Sequence, residues 1–393
     1  MEYKGIIITG TSGSGKTTIA ESLCEKLDKF EIVKAVTTRA PRPGVSEPNY
    51  SFINKQTFSD YEKRKEFIVT TKYRDEKYGI LLADYLFTIK KNKIPILIIS
   101  PESTERAIII DEKPQYFLSF FIDADDSELI DRLAERNGKT AQSEITNRNI
   151  DRTFKKHSLF YILNNISSNI HEIVNLISQL WDLRNSGGII PHQILLRLIK
   201  YSRLIEPHSI NNISAASYDL TLGNEYFQNG KIKELTDRNP SVLINPGDFI
   251  IAESKEKLNL PSCISARFDL TVSMFCKGLI LSNGPQVDPG YSGKLFCLLF
   301  NTSNNIVELK KDNHYASIEF SKLIEPTEKP YVGKYQDKEK IFLFLPELAK
   351  YSVTSDLKKQ ISALQKEIIL LKYLPIIISI AALVIAILKL SGK

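Results

Sequence analysis

The pattern of hydrophobic and polar positions changes twice along the chain. From Tyr3 to about Leu180, helical and strand patterns alternate, which predicts an α/β domain at 1–183. A polar link at 185–188 follows, and the later apolar runs are short and interrupted by Gly, Pro and Asn, which predicts an all-β domain at 187–345. Past Phe344 the pattern is helical again. We therefore predict a multidomain chain.

Apolar residues after the all-β domain recur at alternating spacings of four and three. They are Leu357, Ile361, Leu364, Ile368 and Leu371. This heptad pattern predicts a short coiled-coil stalk at 353–373. Because it covers fewer than three heptads, a plain amphipathic helix is the alternative.

The next stretch is uncharged and strongly apolar. Residues 374–388 read LPIIISIAALVIAIL and are bracketed by Lys372 and Lys389. About fifteen to seventeen helical residues span roughly 22–25 Å, which is short for a bilayer core, but flanking lysines can extend toward the interface. We predict a transmembrane helix at 374–390 that attaches the chain to a membrane. The alternative is a buried helix of a folded domain.

Composition and charge narrow the class of protein only modestly. At 393 residues the chain is long enough for two domains, and 42% hydrophobic and 25% charged residues exclude wholesale disorder. The net charge of +6 suits phosphorylated small molecules or an anionic membrane face as well as nucleic acid, and we expect no specific nucleic-acid binding. The four cysteines lack CxxC spacing and the five histidines are dispersed, so we expect buried free thiols and no zinc site.

A phosphate-binding motif follows the first predicted strand directly. Residues 10–18 read GTSGSGKTT, which matches G-x-x-x-x-G-K-[ST]. The glycines let backbone N–H groups close on phosphate oxygens, and the next helix adds its positive N-terminus. The lysine of this motif reaches the β- and γ-phosphates and the threonine binds Mg²⁺, so we predict ATP and Mg²⁺ as cofactors and Thr17 as the metal-binding residue. The predicted cofactor-binding residues are Gly10, Ser12, Gly13, Ser14, Gly15, Lys16, Thr17 and Thr18.

A second phosphate-binding pattern lies further along. Residues 37–44 read TTRAPRPG, and a Tyr-Gly pair follows at 78–79. Two arginines three residues apart, stiffened by prolines, offer a fork for a phosphate that the first loop does not hold. On these motifs residues 1 to about 180 resemble guanylate kinase. The resemblance implies that the acceptor monophosphate is bound by Arg39, Arg42, Tyr50 and Tyr78.

The segment RLAER at 132–136, with Arg148 further on, resembles the lid of the same family. The resemblance implies that arginines here close over the transferring phosphoryl group and neutralise its oxygens in the transition state. On this basis Lys16, Arg136 and Arg148 are the predicted catalytic residues of the first domain. A solvated helix face is the alternative for the lid arginines.

The sequence departs from guanylate kinases where that family reads guanine. Val69 stands in the place of the family's glutamate, and Ile80 in the place of a serine after the Tyr-Gly pair. Ala35 replaces a serine near the acceptor phosphate, and 98–100, Ile-Ile-Ser, replaces the family's D-x-D. Because valine cannot accept hydrogen bonds from guanine, we predict that GMP is a poor substrate. Loss of the D-x-D leaves weak or absent catalysis open.

Four motifs of the predicted all-β domain stand in the order of one family. They are SYDLTLG at 217–223, PGDF at 246–249, DPGYSG at 288–293 and YVGKYQ at 331–336. Together they resemble the dCTP deaminase branch of the dUTPase superfamily over roughly 187–340. The resemblance implies a homotrimer of distorted β-barrels, with nucleotide sites between subunits and a tail that folds over the triphosphate. The residues that match this tail are Lys334, Tyr335 and Gln336.

Two departures bear on the chemistry of this domain. Leu298 occupies the position of the glutamate that transfers protons in the deaminases, and leucine cannot transfer a proton. The deaminases' phosphate-binding G-R-S-S-L loop appears here as LTVSM at 270–274, which loses the arginine and keeps Ser273 as a predicted nucleotide ligand. We therefore predict that the domain binds a (deoxy)nucleotide without deaminating it.

Asp288 is a further catalytic candidate. In dUTPases an aspartate in a similar turn orders the water that attacks the α-phosphate, and VDPGYSG at 287–293 resembles that turn. An aspartate before Pro-Gly also favours turn formation without any chemistry. We favour binding over turnover at this site, and dUTPase-type pyrophosphate hydrolysis stays open.

These features predict a membrane-tethered protein of nucleotide metabolism. Its kinase-like domain would transfer a phosphoryl group from ATP to a nucleoside monophosphate or a related small phosphate. The alternatives are a nucleotide-sensing membrane effector, for example in phage defence, and an inert scaffold. A strand and a phosphate loop occupy the first residues in place of a signal peptide, so we expect a single-pass topology with the N-terminal domains in the cytoplasm.

Overall fold

The computed structural model describes residues 3–337 and 353–390, apart from 43, 45, 74, 105–107, 111–112, 138–141, 166–167 and 285. Side chains lie outside the description at 73, 108–110, 113–115, 133–137, 142–147, 353–359 and 388–390. The described part forms an α/β domain, a β-rich domain and a long C-terminal helix.

The first half of the chain forms the predicted α/β domain. Its strands are β1 (Tyr3–Gly10), β2 (Phe30–Ile32), β3 (Ala35–Thr37), β4 (Tyr50–Phe52), β5 (Phe67–Tyr73), β6 (Glu76–Leu81), β7 (Ile94–Ile98), β8 (Ile108–Ile110), β9 (Lys113–Asp123) and β10 (Phe160–Leu163). Its helices are α1 (Lys16–Lys26), α2 (Lys55–Lys63), α3 (Leu82–Lys90), α4 (Pro101–Thr104), α5 (Asp126–Asn137), α6 (Gln142–Thr153) and α7 (Ile170–Asp182).

The central sheet of this domain has the strand order β10-β9-β1-β7-β2, and neighbouring strands run parallel. β1 is a run of isoleucines because both of its faces are covered, and Ile6 and Ile8 are fully buried. Parallel strands bring their carboxyl ends to the same edge, so the loop after β1 lies beside the end of β9. A smaller sheet with the order β4-β3-β6-β5 carries the second phosphate-binding pattern.

The second domain is rich in β-strands, as predicted. Its strands are β11 (Gly188–Ile189), β12 (Ile205–Glu206), β13 (Ser217–Gln228), β14 (Lys231–Glu234), β15 (Ser241–Ile244), β16 (Phe249–Asn259), β17 (Ile264–Leu270), β18 (Leu279–Ser282), β19 (Ser292–Asn301), β20 (Val307–Lys310) and β21 (His314–Lys322). Its helices are α8 (His192–Ser202) and α9 (Val272–Cys276).

The main sheet of the second domain has the order β11-β21-β13-β16-β19-β18, with antiparallel neighbours. Along β19, fully buried residues such as Leu295, Cys297 and Leu299 alternate with half-buried ones, which is the pattern of a strand with one face on a core. This strand begins at Ser292, within the DPGYSG motif. Closure of the strands into a distorted barrel stays a prediction.

The two domains share one hydrophobic core. α8 packs against α7 and β10, and its residues Leu195 and Leu198 are fully buried in the same cluster as Ile173 of α7. Lys322 Nζ donates hydrogen bonds to the carbonyl oxygens of Arg184 and Ser186, at 3.3 and 2.7 Å, which holds the linker against the second domain. These contacts fix the orientation of the second domain on the first.

The C-terminal helix α10 (Val353–Leu390) runs without interruption through both of the predicted helical segments. Within the described part of the chain it is the one helix that is long and apolar enough to cross a membrane. The qualifying stretch is Gln360–Ile387, with a mean hydropathy of 2.6 and exposed side chains. Pro375 lies inside the helix, close to the predicted start of the membrane segment. Coiled-coil packing of 353–373 stays a prediction.

Candidate functional site

The loop between β1 and α1 has a backbone that only glycine can form. Gly10, Gly13 and Gly15 have φ angles of 134°, 83° and 86°, in the region that side chains disfavour. A Cβ atom on Gly10 would lie 1.9 Å from the carbonyl oxygen of Ile122, and one on Gly15 would lie 2.5 Å from Asn164 Nδ2. The motif glycines therefore let the loop wrap tightly at the N-terminus of α1, which is the geometry that accepts phosphate oxygens.

Lys16 lies within this loop. Its Nζ atom donates hydrogen bonds to the carbonyl oxygens of Gly10 and Thr11, at 2.9 and 2.6 Å. Burial lowers the pKa of Lys16 to about 8, and the nearby carboxylates of Asp151 and Asp123 oppose that shift. Burial therefore disfavours the ammonium form relative to water, and phosphate oxygens near Lys16 would favour it.

One cavity of about 710 Å³ joins the two phosphate-binding patterns. All of the predicted cofactor-binding residues line it except Ser14, which is buried beneath the loop and donates to the carbonyl oxygen of Thr11 at 2.8 Å. The structure therefore brings together loop residues and acceptor residues that are far apart in sequence. The predicted acceptor-binding residues that line the same cavity are Arg39, Arg42, Tyr50 and Tyr78.

Glu47 is a site residue that the sequence reasoning missed. Its carboxylate accepts hydrogen bonds from both arginines of the fork, at 2.8 Å from Arg39 Nη2 and 2.9 Å from Arg42 Nη1, and the side chain is only 6% exposed. Burial alone would raise the pKa of Glu47, but the hydrogen bonds and charges of Arg39 and Arg42 lower it to about 2. In the unliganded cleft, this carboxylate neutralises the charges that a phosphate would meet.

One part of the cavity lining combines apolar side chains with a group of hydroxyls. Ile80 pairs with Ala35 on one side and Val69 on the other, and all three line the cavity. Ser100 Oγ donates to Thr71 Oγ1 at 2.9 Å and lies 3.1 Å from Ser103 Oγ. The carboxylate residues in the cavity lining are Glu21, Glu47 and Asp151.

The predicted lid corresponds to α5 and α6. Arg132 lines the cavity and forms an ion pair with Glu128 at 2.9 Å. Arg136 is on α5, but its side chain lies outside the described residues. Arg148 is buried on α6, and none of its three guanidinium nitrogens has a hydrogen-bond partner within the described structure. A buried cation without an anionic partner is costly, so this side chain is suited to an anionic ligand.

Asp123, at the end of β9, is a second residue that the sequence reasoning missed. Its carboxylate accepts from Thr11 Oγ1 at 2.9 Å, from Arg152 Nε at 2.8 Å and from Tyr161 OH at 3.0 Å. Arg152 lies one helical turn after Arg148 on α6. Asp123 therefore connects α6, the predicted lid helix, to the phosphate loop.

In the second domain, the predicted residues fall into two groups. Asp288 is exposed beside a shallow cavity of about 410 Å³ whose lining also includes Lys329 and Tyr331, and it accepts a hydrogen bond from Gln286 Nε2 at 2.8 Å. Gln336 folds back on the same turn, because its Nε2 donates to the carbonyl oxygen of Gly290 at 3.0 Å.

The other predicted ligands of this domain are solvent-facing. Tyr335 N–H donates to Tyr331 OH at 3.2 Å, and Lys334 Nζ lies 4.9 Å from the centre of the Tyr335 ring. Ser273 is exposed on α9, where its hydroxyl lies 3.1 Å from Thr271 Oγ1, and it does not line the cavity at Asp288. Within the described part of one chain, these residues do not enclose a ligand.

Comparison with known families matches each domain separately. Residues 2–179 match the family model described as guanylate kinase, and residues 189–323 match the one described as dCTP deaminase-like. The dCTP deaminase of Thermococcus kodakarensis is 37% identical over 145 residues, which cover 37% of this chain and 92% of that protein. That of Pyrococcus horikoshii is 35% identical over 138 residues, which cover 35% of this chain and 87% of the relative.

Solved structures of both kinds are also similar. A guanylate kinase from Anaplasma phagocytophilum has 18% identity and a TM-score of 0.36, and the match covers 46% of this chain and 86% of that one. A 2'-deoxycytidine 5'-triphosphate deaminase from Agrobacterium tumefaciens has 16% identity and a TM-score of 0.31, and the match covers 35% of this chain and 49% of that one. On its sequence matches, the chain belongs to the dCTP deaminase-like family through residues 189–323, and its residues 2–179 are similar to the guanylate kinase family.

Proposed function

We propose that the first domain transfers a phosphoryl group from ATP to a nucleoside monophosphate or a related small phosphate. The observation that carries this proposal is the shared cavity, in which the phosphate loop and the fork of Arg39 and Arg42 face one space. A site that only bound ATP would not require the second, arginine-lined phosphate position. Two phosphates held in one cavity are what an in-line transfer needs.

Each residue has a role in this proposal that follows from its position. ATP supplies the γ-phosphoryl group, which an oxygen of the acceptor phosphate attacks as the bond to the β–γ bridging oxygen breaks. The hydroxyl of Thr17 would hold Mg²⁺, which would neutralise phosphate oxygens. Lys16 leaves its loop carbonyls for the β- and γ-phosphates. Arg148, with Arg136 as its predicted companion, balances the charge of the transferring group. Arg39, Arg42, Tyr50 and Tyr78 hold the acceptor phosphate.

The acceptor is not restricted to GMP in this proposal. The end of the cavity formed by Ala35, Val69 and Ile80 has apolar walls, where guanine would need a carboxylate for its N–H groups. The hydroxyls of Thr71 and Ser100 can donate or accept, so they can pair with bases of several kinds.

A coupled-enzyme assay of the full chain in detergent, with ATP and a panel of ribo- and deoxyribonucleoside monophosphates, tests this function. ADP release should depend on one or more of the acceptors and should be absent in Lys16→Ala. Transfer to none of the acceptors by a folded wild-type chain, or equal transfer by Lys16→Ala, would overturn the kinase assignment.

For the second domain we propose binding of a (deoxy)nucleotide without deamination, in a homotrimer attached to the cytoplasmic side of a membrane by α10. Leu298 on β19 cannot transfer protons, whereas Asp288, Ser273 and the tail residues 334–336 offer polar contacts. Asp288 could also order a water for pyrophosphate hydrolysis. Incubation with dCTP and dUTP separates these outcomes, because deamination would release ammonia and hydrolysis would release pyrophosphate.

The second candidate function is a nucleotide-sensing membrane effector, for example in phage defence. The observation that favours it is the exposed apolar stretch Gln360–Ile387 on a chain that lacks the base-reading residues of its kinase relatives. In this version, nucleotide binding changes how α10 packs, and turnover is not needed. Nucleotide-dependent thermal stabilisation without any turnover would favour this candidate over the kinase.

A further inference from the structure

Arg203 lies at the junction of the two domains and contacts both. It follows α8 directly, in a left-handed backbone conformation with a φ of 51°. Its Nη2 atom donates to Asp125 Oδ1 of the first domain at 3.0 Å, and its guanidinium lies 5.9 Å from the centre of the Tyr161 ring. A residue of the second domain therefore touches the edge of the first domain where β9 and β10 end.

The first-domain partners of Arg203 lead to the phosphate loop. Tyr161 donates to Asp123, which also accepts from Thr11 of the loop and forms an ion pair with Arg152 on the lid helix. We call Arg203, Asp125, Tyr161, Asp123 and Arg152 the interdomain cluster. Any movement of Asp123 when the phosphate loop closes on a ligand would be transmitted to Tyr161 and so to Arg203.

The backbone of Arg203 leads in the other direction, to the 331–337 segment. Its carbonyl oxygen accepts a hydrogen bond from Asn259 Nδ2 at 2.9 Å, and Asn259 Oδ1 accepts from Ser292 Oγ at 3.1 Å. Ser292 N–H donates to Gln336 Oε1 at 3.3 Å, and Asp337 Oδ1, 2.6 Å from the Ser292 hydroxyl, competes with Asn259 Oδ1 for its single proton. These bonds connect the junction to the segment that carries the predicted nucleotide-binding tail.

Few contacts hold the 331–337 segment, so a change at the junction could alter how often the segment opens. Val332 is 87% exposed, and the segment is attached mainly at its ends, where Tyr331 N–H donates to Pro289 O and Asp337 N–H donates to Ser292 O, both at 2.8 Å. Segments with few buried contacts open at low free energy, so a small change at Ser292 alters how often they open.

We propose that Arg203 couples the two sites: a nucleotide bound at the phosphate loop tightens the hold on the 331–337 segment through Arg203, Asn259 and Ser292. The proposal rests on nucleotide binding at the loop, as proposed above. By reciprocity, a ligand that orders the segment would raise the affinity of the loop for nucleotide by the same factor. Because Arg203 and Asp125 are both partly solvent-exposed, the coupling is modest, about two- to fivefold.

Hydrogen exchange of the full chain in detergent, with and without saturating Mg²⁺ and ATPγS, measures this coupling. Peptides over 10–18 report occupancy of the loop, and peptides over 331–337 report the segment. In the wild type both should exchange more slowly with nucleotide, the segment by about two- to fivefold. In Arg203→Gln and in Asp125→Asn, slowing at 10–18 should persist and slowing at 331–337 should disappear.

Arg197→Gln is the matched control. Arg197 is also on the second domain's side of the junction and forms an ion pair with Glu172 at 2.7 Å, and within the described residues it bonds to none of the interdomain cluster. The Arg197→Gln variant should keep the coupling. Loss of the coupling in this variant would mean that any weakening of domain docking abolishes it, which would overturn the specific role of Arg203. Protection at 10–18 without a change at 331–337 in the wild type would overturn the coupling alone. No protection at 10–18 would overturn nucleotide binding itself and the coupling with it.

Discussion

Glu47 forms a two-point ion pair with Arg39, with its carboxylate oxygens 2.8 and 3.1 Å from the two terminal guanidinium nitrogens. Arg39 is one of the residues that we propose for the acceptor phosphate, so Glu47 pairs with a guanidinium that this phosphate would also contact. A phosphate must therefore displace Glu47 or share the arginines with it. We expect this competition to lower the affinity for the acceptor.

Replacement of Glu47 by glutamine should shift this balance toward phosphate. Without its counter-ion the pair of arginines is destabilised, and we expect the free energy of unfolding of the unliganded chain to fall by about 1–3 kcal/mol. The stabilisation that a nucleoside monophosphate provides should grow at the same time. Thermal melting with and without the monophosphates tests both effects, with Glu62→Gln as the control because Glu62 pairs with Lys77, outside the cavity lining. If a monophosphate raised the melting temperature equally in wild type and in Glu47→Gln, Glu47 would not compete with phosphate for the arginines.

Nucleotide affinity should fall as the pH rises through 8. The pKa of Lys16 is lowered to about 8 in the unliganded site by burial, so the lysine is protonated below that pH and loses its charge above it. Phosphate oxygens favour the charged form and raise its pKa, so binding takes up a proton between these two values. We expect the affinity for Mg²⁺ and ADP to drop about tenfold per pH unit above pH 8.

The affinity is measured by isothermal titration calorimetry between pH 7 and 9.5. Lys16→Met removes the titrating group and keeps the length of the side chain, so its weaker binding should be nearly independent of pH. A wild-type affinity that stays constant across this range would show that Lys16 keeps its proton throughout.

Arg148 and Arg152 should respond oppositely to replacement by methionine. Within the described part of the chain, Arg148 is buried and its guanidinium nitrogens have no hydrogen-bond partner, so Arg148→Met should raise the melting temperature by about 2–6 °C while abolishing phosphoryl transfer. Arg152 pairs with the buried carboxylate of Asp123, so Arg152→Met should lower it. Differential scanning calorimetry and the coupled assay measure the two quantities. A lower melting temperature in Arg148→Met would mean that the guanidinium stabilises the unliganded fold.

The parts of the site that could be predicted from sequence are those encoded in short runs. The phosphate loop is one contiguous stretch between a strand and a helix, and the arginine fork lies within eight residues, 37–44. Asp123 could not be identified in this way, because its partners Thr11, Arg152 and Tyr161 are 112, 29 and 38 residues away. Those contacts depend on the strand order of the sheet and on where the lid helix docks.

The same reasoning applies to the fold. Alternating apolar runs predicted the α/β and β-rich domains, but the shared core between them depends on which face of α8 meets α7. Glu47 was missed for a more local reason. It lies a few residues after the arginines, and only the folded chain places its carboxylate between their guanidinium groups.

Base preference can be altered at one position. Val69 is half-buried opposite Ile80 and lines the apolar end of the cavity. A glutamate there would offer a carboxylate to the N–H groups of guanine, so Val69→Glu should raise the affinity for GMP relative to other monophosphates by about tenfold. Val69→Gln, with similar size and no charge, should give a smaller change. Competition of the monophosphates in the coupled assay measures their relative affinities. If Val69→Glu left the order of preference among the monophosphates unchanged, the base would not contact residue 69.

The last prediction concerns assembly and the C-terminal helix. The deaminase-like resemblance implies trimers, whereas Ile361 and Ile368 in alternation with leucines form the pattern that parallel dimers prefer. Fewer than three heptads contribute few contacts, whereas a subunit interface of folded domains buries far more surface. Exposed apolar side chains on α9, Val272 at 76% and Phe275 at 68%, are available for such an interface. We therefore expect the β-rich domain to set the trimer and the helix to follow it.

Protein truncated before Ser355 should then be trimeric by light scattering, because the side chains along Gln360–Ile387 are exposed and their removal leaves the two domains intact. The full chain should partition into membranes and need detergent for extraction, since the apolar stretch has no cover within the described fold. Phe275→Ser, on the exposed face of α9, should weaken the trimer, and Ser273→Ala on the same short helix serves as the control. A monomeric truncated protein would refute assembly through the β-rich domain, and a full chain that is soluble without detergent would refute the membrane attachment.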